Sequence, residues 1–118
     1  MKIDVIIGHS NTHNSRDKNV RFIVNRYKQL LPSAKITIVE QNTESDLSKL
    51  NVNHVLRKTP EPFDYSRGYG FNEGAKITDG DYIIFSDNDI MLHKDLLKDF
   101  DKFVTGFDFY VPSQKFLN

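Results

Sequence analysis

The chain has no cysteine and no tryptophan, and neither sign of charge is in excess: 16 Lys and Arg balance 16 Asp and Glu over 118 residues. Without cysteine there are no disulfides and no thiolate metal sites, so any bound cation must be held by oxygen or imidazole. Balanced charge leaves no electrostatic footprint for nucleic acid and no polybasic patch for a membrane surface. No apolar run approaches the roughly 20 residues that span a bilayer. The opening Met-Lys-Ile-Asp-Val-Ile-Ile-Gly is too short for a signal-peptide core and is interrupted by Asp4. A cytoplasmic location is the default expectation. What is present is ordinary for one soluble domain with one modest core: 38% hydrophobic and 27% charged residues.

Strand-like and helix-like patterns alternate almost throughout. Residues 3–7 are a β-branched run ending at Gly8 and feeding a polar loop from His9 to Asn14. Ser15 is the expected N-cap of a helix whose inner face is Val20, Ile23, Val24, Tyr27, Leu30 and Leu31, stopped by Pro32. A second strand is expected over 35–40, a short helix over 46–50 and a third strand over 53–57, followed by the proline loop 59–62. Residues 66–77 read as a helix despite Gly68, Gly70 and Gly74, with Thr78-Asp79-Gly80 as its stop. Tyr82-Ile83-Ile84-Phe85 is a continuous apolar run, the signature of a strand covered on both faces. A helix over 94–104 and a strand over 107–111 complete the pattern. The alternation predicts an α/β fold, a mostly parallel sheet flanked by helices, as a single unit over residues 1–118.

Ligands of such sheets sit beyond the carboxyl ends of the strands. Three of those ends are polar: the His9 loop, Glu40-Gln41-Asn42, and Ser86-Asp87-Asn88-Asp89. In extended chain, Asp87 and Asp89 point to one side and Asn88 to the other. Two converging carboxylates need a cation or a proton between them, and oxygen ligands favour Mg²⁺ or Mn²⁺. The same triplet reads equally as a solvated turn capping the next helix. Asp79-x-Asp81 and Asp99-x-Asp101 repeat the spacing, the first at the wrong end of its strand and the second within a helix. Gly68, Gly70 and Gly74 lack the spacing of a phosphate-binding loop.

Four pieces in order carry a resemblance: Ile38-Val39-Glu40-Gln41, Tyr65-Ser66-Arg67-Gly68, Asn72-Glu73-Gly74 and Phe85-Ser86-Asp87-Asn88-Asp89. Together they resemble the donor half of inverting glycosyltransferases of the GT-A fold, the Rossmann-like fold of nucleotide-diphospho-sugar transferases. The nearest echoes are family 2 of bacterial transferases and the β-1,4-galactosyltransferases. The resemblance implies a UDP-sugar donor, a Mn²⁺ or Mg²⁺ ion, a carbohydrate acceptor hydroxyl and the Asp-x-Asp (DXD) motif of that fold. It implies that Asp89 ligates the metal. Asp87 would contact ribose or donor sugar and, through water, the metal. Arg67 would face the diphosphate, with Asn72 following it in the family's order and counted with it among the donor-binding residues. Glu40 would lie near the base, and Gly8, His9 and Ser10 would meet base and ribose largely through backbone.

Each residue also has a plain reading. Arg67 near a helix start is mildly unfavourable against the positive end of the dipole, which calls for an anionic partner. Glu40 reads also as an ordinary strand-end acid, His9 and His13 as solvated loop histidines, and His93 as an exposed residue at a helix start. Tyr65 stacks on a base or packs under the proline loop. Phe71, Phe100 and Phe103 read as core. The family normally continues into an acceptor half carrying an acidic catalytic base, so the chain reads as a truncated or N-terminal donor portion. Its far sheet edge is then a candidate for self-association.

Overall fold

A computed structural model describes residues 2–10, 14–42, 47, 50–58 and 66–88, with the backbone alone for 14–17. Their elements are β1 (Ile3–His9), α1 (Asn14–Leu30), β2 (Lys35–Asn42), β3 (Asn53–Lys58), α2 (Arg67–Lys76) and β4 (Tyr82–Asp87). All three strand pairings are parallel, in the order β3-β2-β1-β4. The α/β architecture expected from the alternation is present, with one helix on each face of the sheet. No helix among the described residues is long and apolar enough to cross a membrane.

Strand parity divides the side chains between the two helices. Val5 and Ile7 of β1, Ile36 and Ile38 of β2 and Ile84 of β4 pack with Val20, Ile23, Val24 and Tyr27 of α1, and Leu47 completes this cluster. Most of these residues are fully buried, and each such aliphatic side chain stabilises the fold by about 1.5–3 kcal/mol relative to exposure. The opposite face carries Ile6, Val39 and Gln41 and lies under α2. Two glycines let α2 approach. A Cβ at position 74 would collide with the Ile6 side chain, and one at 70 would stand 3.2 Å from Gln41 Nε2. The glycines that weaken helix propensity are therefore the contact surface of this helix.

The amino ends of β1 and β4 are tied together. Asp81 N donates to Lys2 O at 2.8 Å, Lys2 N donates to Asp81 Oδ2 at 2.8 Å, and Lys2 Nζ reaches Asp79 Oδ2 at 3.1 Å. The Lys2 ammonium holds the Asp79 carboxyl below its ordinary value, chiefly through that hydrogen bond. Buried Asp4 accepts from Gly80 N at 2.7 Å. The Asp79-x-Asp81 triplet thus ties down a strand start, at the end of the sheet opposite the candidate site.

Several expectations are corrected. β1 runs on through His9, which is fully buried rather than solvated in a loop. β2 likewise continues to Asn42. α1 begins at Asn14, so Ser15 lies inside the helix and is not its N-cap. Among the described residues β4 is well covered on only one face: Ile84 and Ser86 are buried, whereas Ile83 and Phe85 are 37% and 47% exposed. Among the described residues, α2 packs mainly over β1 and β2 and meets this face of β4 through Phe71. Phe71 is half-buried, not core, and leans on Phe85 with ring centroids 5.1 Å apart. The elements expected over 94–104 and 107–111, and most of that over 46–50, lie outside the described residues, as do His13, Tyr65, His93, Phe100 and Phe103.

Candidate functional site

The strand order reverses at β1: β2 and β3 extend to one side and β4 returns on the other. The crevice beyond the carboxyl ends of β1 and β4 is the switch point where open parallel sheets bind ligands. There Gly8 pairs in register with Asp87. Gly8 has no side chain on the face that carries the Asp87 carboxylate, so backbone borders that acid directly.

Asp87 is met by Arg67 from the first turn of α2. Arg67 Nε donates to Oδ1 at 2.8 Å and Nη2 to Oδ2 at 3.2 Å, a two-point guanidinium–carboxylate pair. The guanidinium also lies 5.0 Å from the Phe71 ring centroid, one turn on. The anionic partner expected for Arg67 is therefore supplied within the chain. Arg67 is 61% exposed and Asp87 28%, so both stay open to a ligand. Asn72, by contrast, is exposed and lies about 140° around the helix from Arg67, away from this pair.

The helix bearing Arg67 is anchored to β2 by Gln41. Gln41 Nε2 donates to Ser66 O at 2.7 Å, and Ser66 N donates to Gln41 Oε1 at 3.1 Å. Arg57, directly opposite on β3, donates from Nη1 to the same Oε1 at 2.9 Å and stacks 4.4 Å from the Tyr69 ring centroid. Ser66 caps α2: its backbone is extended and its Oγ accepts from Tyr69 N at 3.2 Å.

The other sheet face holds a separate polar group. Glu40 is fully buried, with His54 Nε2 2.7 Å from Oε1 and Asn42 Nδ2 donating to Oε2. Ser10 Oγ reaches Asn42 Oδ1 at 3.5 Å. Asn88 faces away from Asp87, as the alternation predicts, and its Nδ2 lies 2.9 Å from Nδ1 of His9. The sequence-expected residues thus fall into two sets. Gly8, Arg67 and Asp87 meet on the α2 face, while His9, Ser10 and Glu40 are buried on the α1 face. Gln41, Arg57, His54 and Asn88 carry much of the geometry and were not singled out as site residues. The usable signal was polar residues continuing the alternation to the very ends of β2 and β3.

For a divalent cation, the described residues contain no group of three or more His, Cys, Asp or Glu side chains placed to hold one. Asp87 contributes one carboxylate, and Arg67 engages both of its oxygens. Asp89 lies outside the described residues. Taken alone, the described donors make an anion-facing pair rather than a cation cage.

No protein-family model matches the sequence, and no curated protein matches it. Among solved structures, the chain is similar to a crystal structure of residues 1–349 of S. aureus TarS, a glycosyltransferase. The TM-score is 0.63 at 20% sequence identity, over 88% of this chain. The chain spans about a third of that structure's length, 32%. What the two share is the fold, which in this chain is a four-stranded parallel sheet flanked by two helices.

Proposed function

We propose that the chain is the donor-binding portion of a metal-assisted glycosyltransferase, akin to family 2 and to the donor half of β-1,4-galactosyltransferases. It would use a UDP-sugar to glycosylate a carbohydrate hydroxyl with a hexosyl or N-acetylhexosaminyl group. The observation that carries this reading is the Arg67–Asp87 pair beside Gly8, at the β1–β4 switch point of a fold shared with a glycosyltransferase. In this reading Arg67 turns its fork toward the diphosphate, a geometry suited to two-point phosphate binding. Asp87, released from Arg67, accepts from ribose or sugar hydroxyls. Asp89 with Asp87 would hold Mn²⁺ or Mg²⁺, which supplies positive charge to the departing diphosphate. The acceptor oxygen bonds to the anomeric carbon as the bond to the diphosphate oxygen breaks, and the acceptor proton passes to a base beyond the described residues.

Calorimetry tests this reading. UDP should bind in the presence of Mn²⁺ or Mg²⁺, and binding should be lost in Asp89→Ala. Metal-independent binding would overturn the metal role, and no binding of UDP at all would overturn the donor site.

A second reading is a nucleotide-binding module without transfer. It is favoured by the self-sufficiency of the pair, since a guanidinium already balanced by a carboxylate can exchange it for a phosphate without any chemistry following. Release of UDP from a UDP-sugar above the uncatalysed rate separates the two: turnover supports the transferase, binding without turnover the module.

A further inference from the structure

We propose that Gln41 is a positioning residue for the donor diphosphate, acting through Ser66 to fix the backbone from which Arg67 reaches the site. The proposal rests on the reading of Arg67 as the diphosphate contact. Gln41 itself is fully buried and does not reach Arg67. Its carboxamide instead engages both backbone polar groups of Ser66, the residue immediately before Arg67.

The orientation of the amide follows from its partners. Arg57 has donors only, so the carboxamide oxygen must face Arg57. The same oxygen then meets Ser66 N, a donor, and the remaining amide nitrogen meets Ser66 O, an acceptor. All three contacts are satisfied by one orientation, and the flipped amide would satisfy none. The parallel register sets Gln41 beside Arg57, and the missing Cβ at Gly70 leaves room for this amide, since a Cβ there would stand 3.2 Å from its nitrogen. Arg57 is itself held over Tyr69, so the first turn of α2 is tied to both β2 and β3.

The consequence concerns distance. Asp87 comes from β4, and Arg67 from the start of a helix that Gln41 ties to β2. Two-point binding by a guanidinium tolerates little error in placement. A shorter Asn at position 41 would fall one methylene short of Ser66. Glu would keep the acceptor for Arg57 and Ser66 N but set a second oxygen against Ser66 O. Met would fill the space and offer neither partner.

The test is a double-mutant cycle read by UDP affinity in the presence of Mn²⁺, using the full chain. Gln41→Met should weaken UDP binding by roughly tenfold to a hundredfold, the usual cost of removing a supporting hydrogen-bond partner. Arg67→Met should weaken it comparably. The double variant should be no weaker than Arg67→Met alone, because Gln41 acts only through Arg67. Additive losses, or full affinity in Gln41→Met, would overturn the proposal while leaving the donor site standing. No UDP binding by the unmodified chain would overturn both. Should Gln41→Met not fold, Gln41→Glu takes its place in the same cycle, with the same outcomes.

Discussion

Gly74 of α2 rests on Ile6 of β1 so closely that the hydrogen at its Cα occupies the only space available: a methyl there would overlap the Ile6 side chain. The helix that presents Arg67 is therefore set on the sheet by a glycine contact in its last turn and by the Gln41 clamp at its start.

Gly74→Ala tests the first of these. Alanine improves helix propensity by about 1 kcal/mol, whereas overpacking typically costs about 1–3 kcal/mol. The collision is with a branched side chain on a central strand, so overpacking wins. The urea midpoint should fall, and a variant as stable as the parent would refute the contact.

At the opposite end of the sheet, Asp4→Ala removes the acceptor of Gly80 N. The half-buried N–H then lacks its protein partner, which costs about 1 kcal/mol, the low end of the range for an unmade hydrogen bond because water can reach it. Asp4→Asn keeps an acceptor oxygen and should cost less. Equal losses in the two variants would show that the hydrogen bond contributes nothing.

Arg67→Lys keeps the charge and loses the fork. Lysine binds phosphate as a single point charge, so UDP affinity should fall by about tenfold. Unchanged affinity in a calorimetric titration would remove Arg67 from the diphosphate.

The Lys2–Asp79 pair gives a pH signature. Asp79 titrates below its ordinary 3.8 in the folded chain. The pair therefore stabilises above the unfolded value and is lost as pH falls through the depressed folded one. Both partners are well exposed, so the effect is small and screened by salt. Asp79→Asn should lower the melting temperature slightly at neutral pH and low salt. The difference from the parent should vanish in strong acid and shrink in 1 M salt; a difference that persists under both conditions would show that the pair is not its source.

Much of this architecture is legible in residue order. The three- and four-residue spacing from Val20 to Leu31 marks α1, and Ser66 and Thr78-Asp79-Gly80 bracket α2 within a residue. These are local signals. The strand ends are less legible, because His9, Gln41 and Asn42 are polar and burial of polar residues depends on partners elsewhere. Gln41 finds Arg57 only through the β2–β3 register, and His9 finds Asn88 across 79 positions. Arg67 and Asp87 were each singled out by motif, yet their pairing follows from the seat of α2 on the sheet. The outer face of β4 differs from expectation for a related reason: an apolar run says that a strand favours burial, not which neighbour covers it or how fully.

The central place of β1 has a consequence for how the molecule comes into being. Its neighbours begin at residues 35 and 82, so one flank is paired early and the other waits for most of the chain. A nascent chain released up to residue 80 has β1, β2 and β3 but lacks the strand that closes the other side. Long-range parallel pairing of this kind folds slowly, because loop closure precedes the contacts that reward it. Asp87 is the last residue of that strand, so among the described elements the crevice at the switch point forms only once β4 has paired with β1.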